Sequence, residues 1–341
     1  MGVKTRFLII SDTHGEDVPL AHHQPADVAI HCGDLTEESK INEFCHTLQL
    51  LKSLKAPLKI IIPGNHDFTM DLPTFKSNID GADEPLDPLL VKREFGDYGE
   101  LHQIFSEAKS EGIHVLEEGT HQFQLGNGAL LTVYASPFTP SPHNSWGFHY
   151  LPTQHEFAIP ETADVVITHG PPHGIMDITG SRKRIGCPNL FGAVARAQPK
   201  LHCFGHVHSG WGAKLVTWRE KIREVPSHFQ DVNNDNSIVI ENLSTLKNTK
   251  FDTTEEVEAK IEKRKLLDHQ GYIRTSHCTD DERSLKRGQT LFVNAAIQGT
   301  TEDYPMHLPW LVDMELPPTP NLRDSTKMKK TAKSGILVKK E

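Results

Sequence analysis

The chain has 341 residues, 37% of them apolar and 24% charged, with a formal net charge of -9. That length suits one large domain or two modest ones. The negative balance argues against a general nucleic-acid binder, and no apolar run approaches the 18 or so residues of a membrane span.

Five cysteines (Cys32, Cys45, Cys187, Cys203 and Cys278) are odd in number and show no CxxC spacing. They argue against a disulfide framework and against a structural zinc knuckle. The N-terminus enters a short apolar strand directly, without a long apolar leader or cleavage site, so a cytoplasmic location is expected.

In chain order, short β-branched runs predict strands over 7–11, 28–32, 58–62, 129–135, 165–168, 201–204 and 290–297. Apolar residues at 3–4 spacing predict helices between some of them. Ile41, Phe44, Cys45, Leu48, Leu51 and Leu54 form one such stripe. Leu101, Ile104, Phe105 and Ala108 form a second, and Leu190, Ala193, Val194 and Ala197 a third. Strands alternating with helices imply an α/β layer architecture. The stretch 219–288 is polar, with a weak helical stripe at Val257, Ile261 and Leu266, and reads as a partly disordered surface insertion. The tail 317–341 carries seven basic residues against two acidic ones, leaving about -14 on the rest of the chain. It reads as a disordered basic tail.

Polar residues follow the strands in a regular way. Asp12 and His14 follow the first, Asp34 the second, Asn65, His66 and Asp67 the third. His169 follows the run 165–168, and His206 and His208 follow 201–204. In open α/β sheets the C-terminal strand edge is where ligands bind. Asp, His and Asn without Cys suit borderline-hard divalent cations such as Mn, Fe, Zn or Ni. So many donors exceed what one ion with an open position needs, and they suit two ions sharing a carboxylate. Each element alone is a weak signal; all five in order, each at a strand end, are not.

The ordered set D-x-H, G-D, G-N-H-D, H and G-H-x-H resembles the calcineurin-like metallophosphoesterase superfamily. Ser136-Pro137, Asn144 to Phe148, His169 to Pro172 and Phe292 to Ala295 make it similar to the metallophosphoesterase-domain-containing proteins in particular. The resemblance covers about 6–215 and 290–312 and implies a two-sheet αββα sandwich with a dimetal site at the strand ends. It further implies that Asp12, His14, Asp34 and His208 hold one metal, that Asp34, Asn65, His169 and His206 hold the other, and that Asp34 bridges. His66 is then no ligand but faces the phosphate as general acid or transition-state contact. Asp67 and Glu37 are candidates to orient it. Position 37 is Glu, not the Tyr of purple acid phosphatases, and Gly33 to Ser39 lacks the GDxVDRG run of protein phosphatases.

The expected organisation is a metallophosphoesterase domain over 1–316, interrupted by the 219–288 insertion and followed by the tail. The expected function is metal-dependent phosphodiester hydrolysis, with a cyclic nucleotide or small diester as substrate. No stable nucleic-acid complex and no membrane association are expected. A binding scaffold with little turnover, a phosphomonoesterase and a nuclease are the alternatives. Cys32 and Cys203 read as buried small hydrophobes. Trp146 and Trp211 read as packing residues, with base stacking the second choice. Arg182, Lys183 and Arg184 read either as a phosphate clamp or as a solvated loop.

Overall fold

The first strand shows why the molecule has layers. Phe7 and Ile9 lie on one side and Leu8 and Ile10 on the other, following the two-residue period of a strand, and all four are fully buried. Phe7 and Ile9 join the core between two sheets, whereas Leu8 and Ile10 join a second core beneath helices. A strand covered on both faces reads as an unbroken apolar run.

The computed structural model describes residues 2–18, 24–142, 146–301 and 304–320. The strands up to the middle of the chain are β1 (Val3–Ile10), β2 (Val28–His31), β3 (Leu58–Ile61), β4 (Ile113–Val115), β5 (Gly119–Gln124), β6 (Leu130–Ser136), the two-residue β7 (Thr139–Pro140) and β8 (His149–Tyr150), and β9 (Val165–Thr168). After them come β10 (Leu201–Phe204), β11 (Gly212–Thr217), β12 (Ile238–Asn242), β13 (Ile273–Ser276), β14 (Gln289–Asn294), the hairpin β15 (Gln298–Thr301) and β16 (Tyr304–Met306), and β17 (Trp310–Leu316). The helices are α1 (Ile41–Ser53), α2 (Leu72–Asp80), α3 (Pro88–Phe95), α4 (Glu100–Ala108), α5 (Pro188–Ala197) and α6 (Thr254–Gln270).

One sheet has the order β13-β17-β1-β2-β3-β4 and the other β12-β11-β14-β10-β9-β6-β5. Phe44, Leu51, Leu101 and Phe105 of α1 and α4 cover the outside of the first sheet. Leu190, Phe191 and Val194 of α5 cover the outside of the second. The result is the expected αββα sandwich. Strands β1, β2 and β3 are mutually parallel, as are β9 and β10, so each group delivers its C-terminal ends to one edge. Among the described residues no helix is long and apolar enough to cross a membrane.

The polar stretch 219–288 enters both sheets. Its β12 pairs antiparallel with β11 at one sheet edge, and its β13 pairs parallel with β17 at an edge of the other. Between them runs α6, opened by a capping box of Thr253 and Glu256 and closed by Gly271 at φ +81°. Leu243, Leu246 and Ile273 from this stretch lie in the inter-sheet core. In β12 the apolar Ile238 and Val239 are both exposed, whereas in β13 Ile273 and Thr275 are buried. The tail beyond 320 and the motif residues Asn144 and Ser145 lie outside the described residues.

Candidate metal centre

The two sheets present their strand ends to each other, and the motif loops interlock there. The His206 amide donates to both carboxylate oxygens of Asp12, at 2.9 and 3.1 Å, joining the last β10 loop to the first β1 loop. His169 Nδ1 lies 3.0 Å from the carbonyl oxygen of Cys32, which can only accept. Nδ1 therefore carries the hydrogen, and Nε2 is left for a ligand, the usual device for fixing a metal-binding imidazole.

All seven expected ligand residues come together. Donor atoms of Asp12, His14 and His208 lie within 4.8 Å of one another, and so do those of Asp34, His169 and His206. Asp34 stands between the two groups, with Oδ2 3.3 Å from His169 Nε2 and 4.0 Å from His14 Nε2. Asn65 Oδ1 is 2.9 Å from the same His169 nitrogen.

Three features of the chain fit this cluster to divalent cations. His14 Nε2 is buried without a hydrogen-bond partner. Asp12, His14, Asp34 and His206 all have positive φ, between +50° and +64°, a left-handed conformation unfavourable for residues with a Cβ. And two glycines leave room that a side chain would take. A Cβ on Gly205 would lie 1.9 Å from Asp12 Oδ2, and one on Gly64 would lie 2.3 Å from Asp34 Oδ1.

The electrostatics are those of two buried carboxylates among imidazoles. Burial alone would raise the Asp12 carboxyl, but its hydrogen bond to His208 and the charges of His208 and His169 carry it down to about 2. Asp34 is also held below the usual carboxylate range, against its burial, chiefly by His169. Burial pushes His206 down to about 3, which keeps it neutral and able to ligate.

His66 sits half-buried at the rim, beside His14, with ring centroids 4.8 Å apart. Its Nδ1 lies 2.6 Å from the main-chain carbonyl oxygen of Glu37. The two carboxylates expected to orient it do other work. The Glu37 carboxylate lies 2.8 Å from His14 Nδ1. The buried Asp67 accepts from the amides of Leu35, Thr36 and Gly64 and from the Thr36 hydroxyl, at 2.7 to 3.0 Å. Asp67 thus fastens the loop carrying Asp34 to the loop carrying Asn65. Burial and the charge of Asp34 push its carboxyl up to about 7 against those donors.

Sequence reasoning did not reach Asn294, fully buried at the end of β14. Its Nδ2 donates to the Val207 carbonyl at 2.9 Å, and its Oδ1 accepts from Ala296, so it holds the loop between His206 and His208. The Phe292 to Ala295 motif was the available signal. Cys32 and Cys203 are fully buried, as expected. Trp211 is a packing residue, buried against Trp310 with its indole N–H on the Leu308 carbonyl. Arg184 is ion-paired with Asp177, while Arg182 and Lys183 are exposed.

A sandwich with such a strand-end cluster defines a dimetal phosphoesterase architecture. The family model for the calcineurin-like phosphoesterases matches residues 5–210, and the chain belongs to that family. It is similar to metallophosphoesterase domain-containing protein 1 of Homo sapiens, 34% identical over 217 residues, covering 61% of this chain and 62% of that protein. It is also similar to the UPF0046 protein T07D4.2 of Caenorhabditis elegans, 32% identical over 216 residues, covering 61% of this chain and 52% of that one. The chain thus spans less than two thirds of either relative's length. Among solved structures, TT1561 of Thermus thermophilus aligns over 71% of this chain and 91% of its own, with 12% identity and a TM-score of 0.40.

Proposed function

We propose that the chain is a metal-dependent phosphodiesterase, and that Asp12, His14, Asp34, Asn65, His169, His206 and His208 hold two divalent cations. The observation that carries this reading is the two donor groups Asp12-His14-His208 and Asp34-His169-His206, with Asp34 Oδ2 also 4.0 Å from His14 of the first, and a third group, His14-Glu37-His66, that brings His66 alongside. Two cations held there would activate a water and neutralise charge on the phosphoryl oxygens.

The protein's own groups do the rest. His66, anchored through Nδ1 on the Glu37 carbonyl, has Nε2 free to deliver a proton to the leaving oxygen. The Asp67 brace keeps Asp34 and Asn65 in register with that imidazole. Preference for a diester follows from charge. A monoester near neutral pH is largely a dianion and calls for guanidinium forks. Leu35 to Ser39 and Asp67-Phe68 contain no arginine, and Arg184 is committed to Asp177. The excess of acidic residues disfavours dianions further. A cyclic nucleotide or small aryl diester is the substrate class proposed.

The test is kcat/KM for bis-p-nitrophenyl phosphate against p-nitrophenyl phosphate, with Mn²⁺, at one pH, with and without EDTA. Diester turnover that EDTA abolishes supports the reading. A preference for the monoester, lost in Arg182→Ala or Arg184→Ala, overturns it.

A further inference from the structure

Of the four tryptophans, Trp211, Trp218 and Trp310 are buried, while Trp146 is 38% exposed. A large apolar side chain left partly in water beside a catalytic cluster is informative in a way that a scattered surface leucine is not. The Trp146 ring lies against His66, with centroids 4.3 Å apart and planes tilted by 44°.

Its backbone is fastened to the loop that carries His66. The Gly147 amide donates to the Asn65 carbonyl at 3.0 Å, and the Phe148 amide donates to Asp71 Oδ2 at 2.8 Å. A Cβ on Gly147 would come within 2.7 Å of the Phe68 Cα, so only glycine permits this approach. The chain that carries Trp146 is therefore fixed relative to the imidazole, just after the residue, by one main-chain bond, one bond to the Asp71 carboxylate and a close contact.

From this geometry we infer that Trp146 is a specificity-determining residue: a stacking platform that selects a flat leaving group, a nucleobase or an aryl ring, at the His66 side of the site. The assignment rests on the phosphoesterase reading. A proton delivered by His66 goes to the leaving oxygen, so the group attached to that oxygen lies beside His66 and against the neighbouring indole. Indole stacking tolerates any base, since each has a π face, and an aryl ester is accepted for the same reason. An alkyl leaving group gains nothing from it.

The experiment uses the full-length Mn²⁺-loaded protein with Trp146→Phe and Trp146→Leu, each checked for wild-type metal content and Tm. Substrates are bis-p-nitrophenyl phosphate and 2′,3′-cyclic AMP, which carry rings, and glycerophosphoethanolamine, which carries none. Leu fills space without a π face. Trp146→Leu should lower kcat/KM for the two ring substrates by roughly tenfold or more, in line with the value of one stacked base, and leave glycerophosphoethanolamine within about twofold. Trp146→Phe should retain most of the ring preference. Equal loss on all three substrates, or none on the ring pair, overturns the platform. Calorimetry with AMP and ribose 5-phosphate separates the platform from the diesterase reading. If wild type hydrolyses no diester but binds AMP more tightly, and Trp146→Leu abolishes that preference, the platform stands and the diesterase reading fails. If diesters are hydrolysed and the preference persists in Trp146→Leu, the platform fails alone.

Discussion

The two sheets contribute unlike halves to one centre. The first delivers both carboxylates, Asp12 and Asp34, with Asn65, His14 and His66, and braces them through Asp67. The second delivers only imidazoles, His169, His206 and His208, and secures them through Asn294, the Cys32 carbonyl and the Asp12 carboxylate that accepts from the His206 amide. Negative charge thus sits on the half with the denser hydrogen bonding, where backbone amides offset its burial. The imidazoles carry no negative charge to be offset and are placed by a few directional contacts. The contrast teaches that damage to the first half should unfold or disarm the molecule, whereas damage to the second should chiefly weaken metal binding.

The sharpest break comes from separating ligand from acid. Asp34→Asn should lower metal content and activity together, because the carboxylate between the two groups is lost. His66→Ala should keep its metal while the rate falls roughly 10²–10⁴-fold, the usual worth of general acid catalysis. Metal analysis beside kcat reads both, and a metal-deficient His66 variant would make that residue a ligand.

Next in size is the brace itself. Asp67→Ala strands three buried amides, and leaving even one or two unsatisfied costs about 3 kcal/mol. Denaturant unfolding should show that loss; a variant within about 0.5 kcal/mol of wild type would mean that the loops hold without it.

The matching change in the other half is smaller and of a different kind. Asn294→Ala frees the Val207 carbonyl and the Ala296 amide, and beside a stability loss smaller than that of the Asp67 variant it should weaken metal affinity by about 10–100-fold, as supporting residues around metal sites usually do. Competition with a fluorescent chelator measures it. Equal losses of stability in the Asp67 and Asn294 variants would erase the distinction between the halves.

The mildest effect is that of pH. Burial favours neutral His169, but the adjacent Asp34 overrides it and carries the pKa up to about 9. A cation at that nitrogen must displace the proton. Metal affinity should therefore rise as pH rises towards about 9, by at most about tenfold per unit from this group, and level off above. Chelator competition at about pH 7, 8 and 9 gives the slope, and a flat profile would remove His169 from the ligand set.

Much of this is legible because the informative signals are local. A strand covered on both faces leaves an apolar run, and a strand end leaves its polar residues within two or three positions, so Asp12 to His208 can be read without a fold. Helices α1, α4 and α5 show themselves by their apolar stripes. What escapes depends on distant parts of the chain. The antiparallel pairing of β17 with β1, Val3 opposite Leu316 through Ile9 opposite Trp310, joins the two ends of the domain and has no local mark. Edge strands β12 and β13 are four or five residues long, and the polar composition of the stretch around them masks their short runs. The true partners of Asp67 and Glu37 are hidden for the same reason: a carboxylate next to His66 in sequence points to another loop in space.

The left-handed residues at the centre carry a consequence for how such a molecule changes over generations. Asp12, His14, Asp34 and His206 each hold a backbone conformation that a glycine would occupy with less strain, a difference of about 1 kcal/mol apiece. Only glycine would relieve that strain, and at Asp12 and Asp34 it would also remove an acceptor for the His206 and His66 amides and disable the chemistry. The strain at these four positions is thus offset by the surrounding hydrogen bonds, the Asp67 brace among them, and a descendant released from the reaction would be free to exchange the strained residues for glycine while keeping the brace.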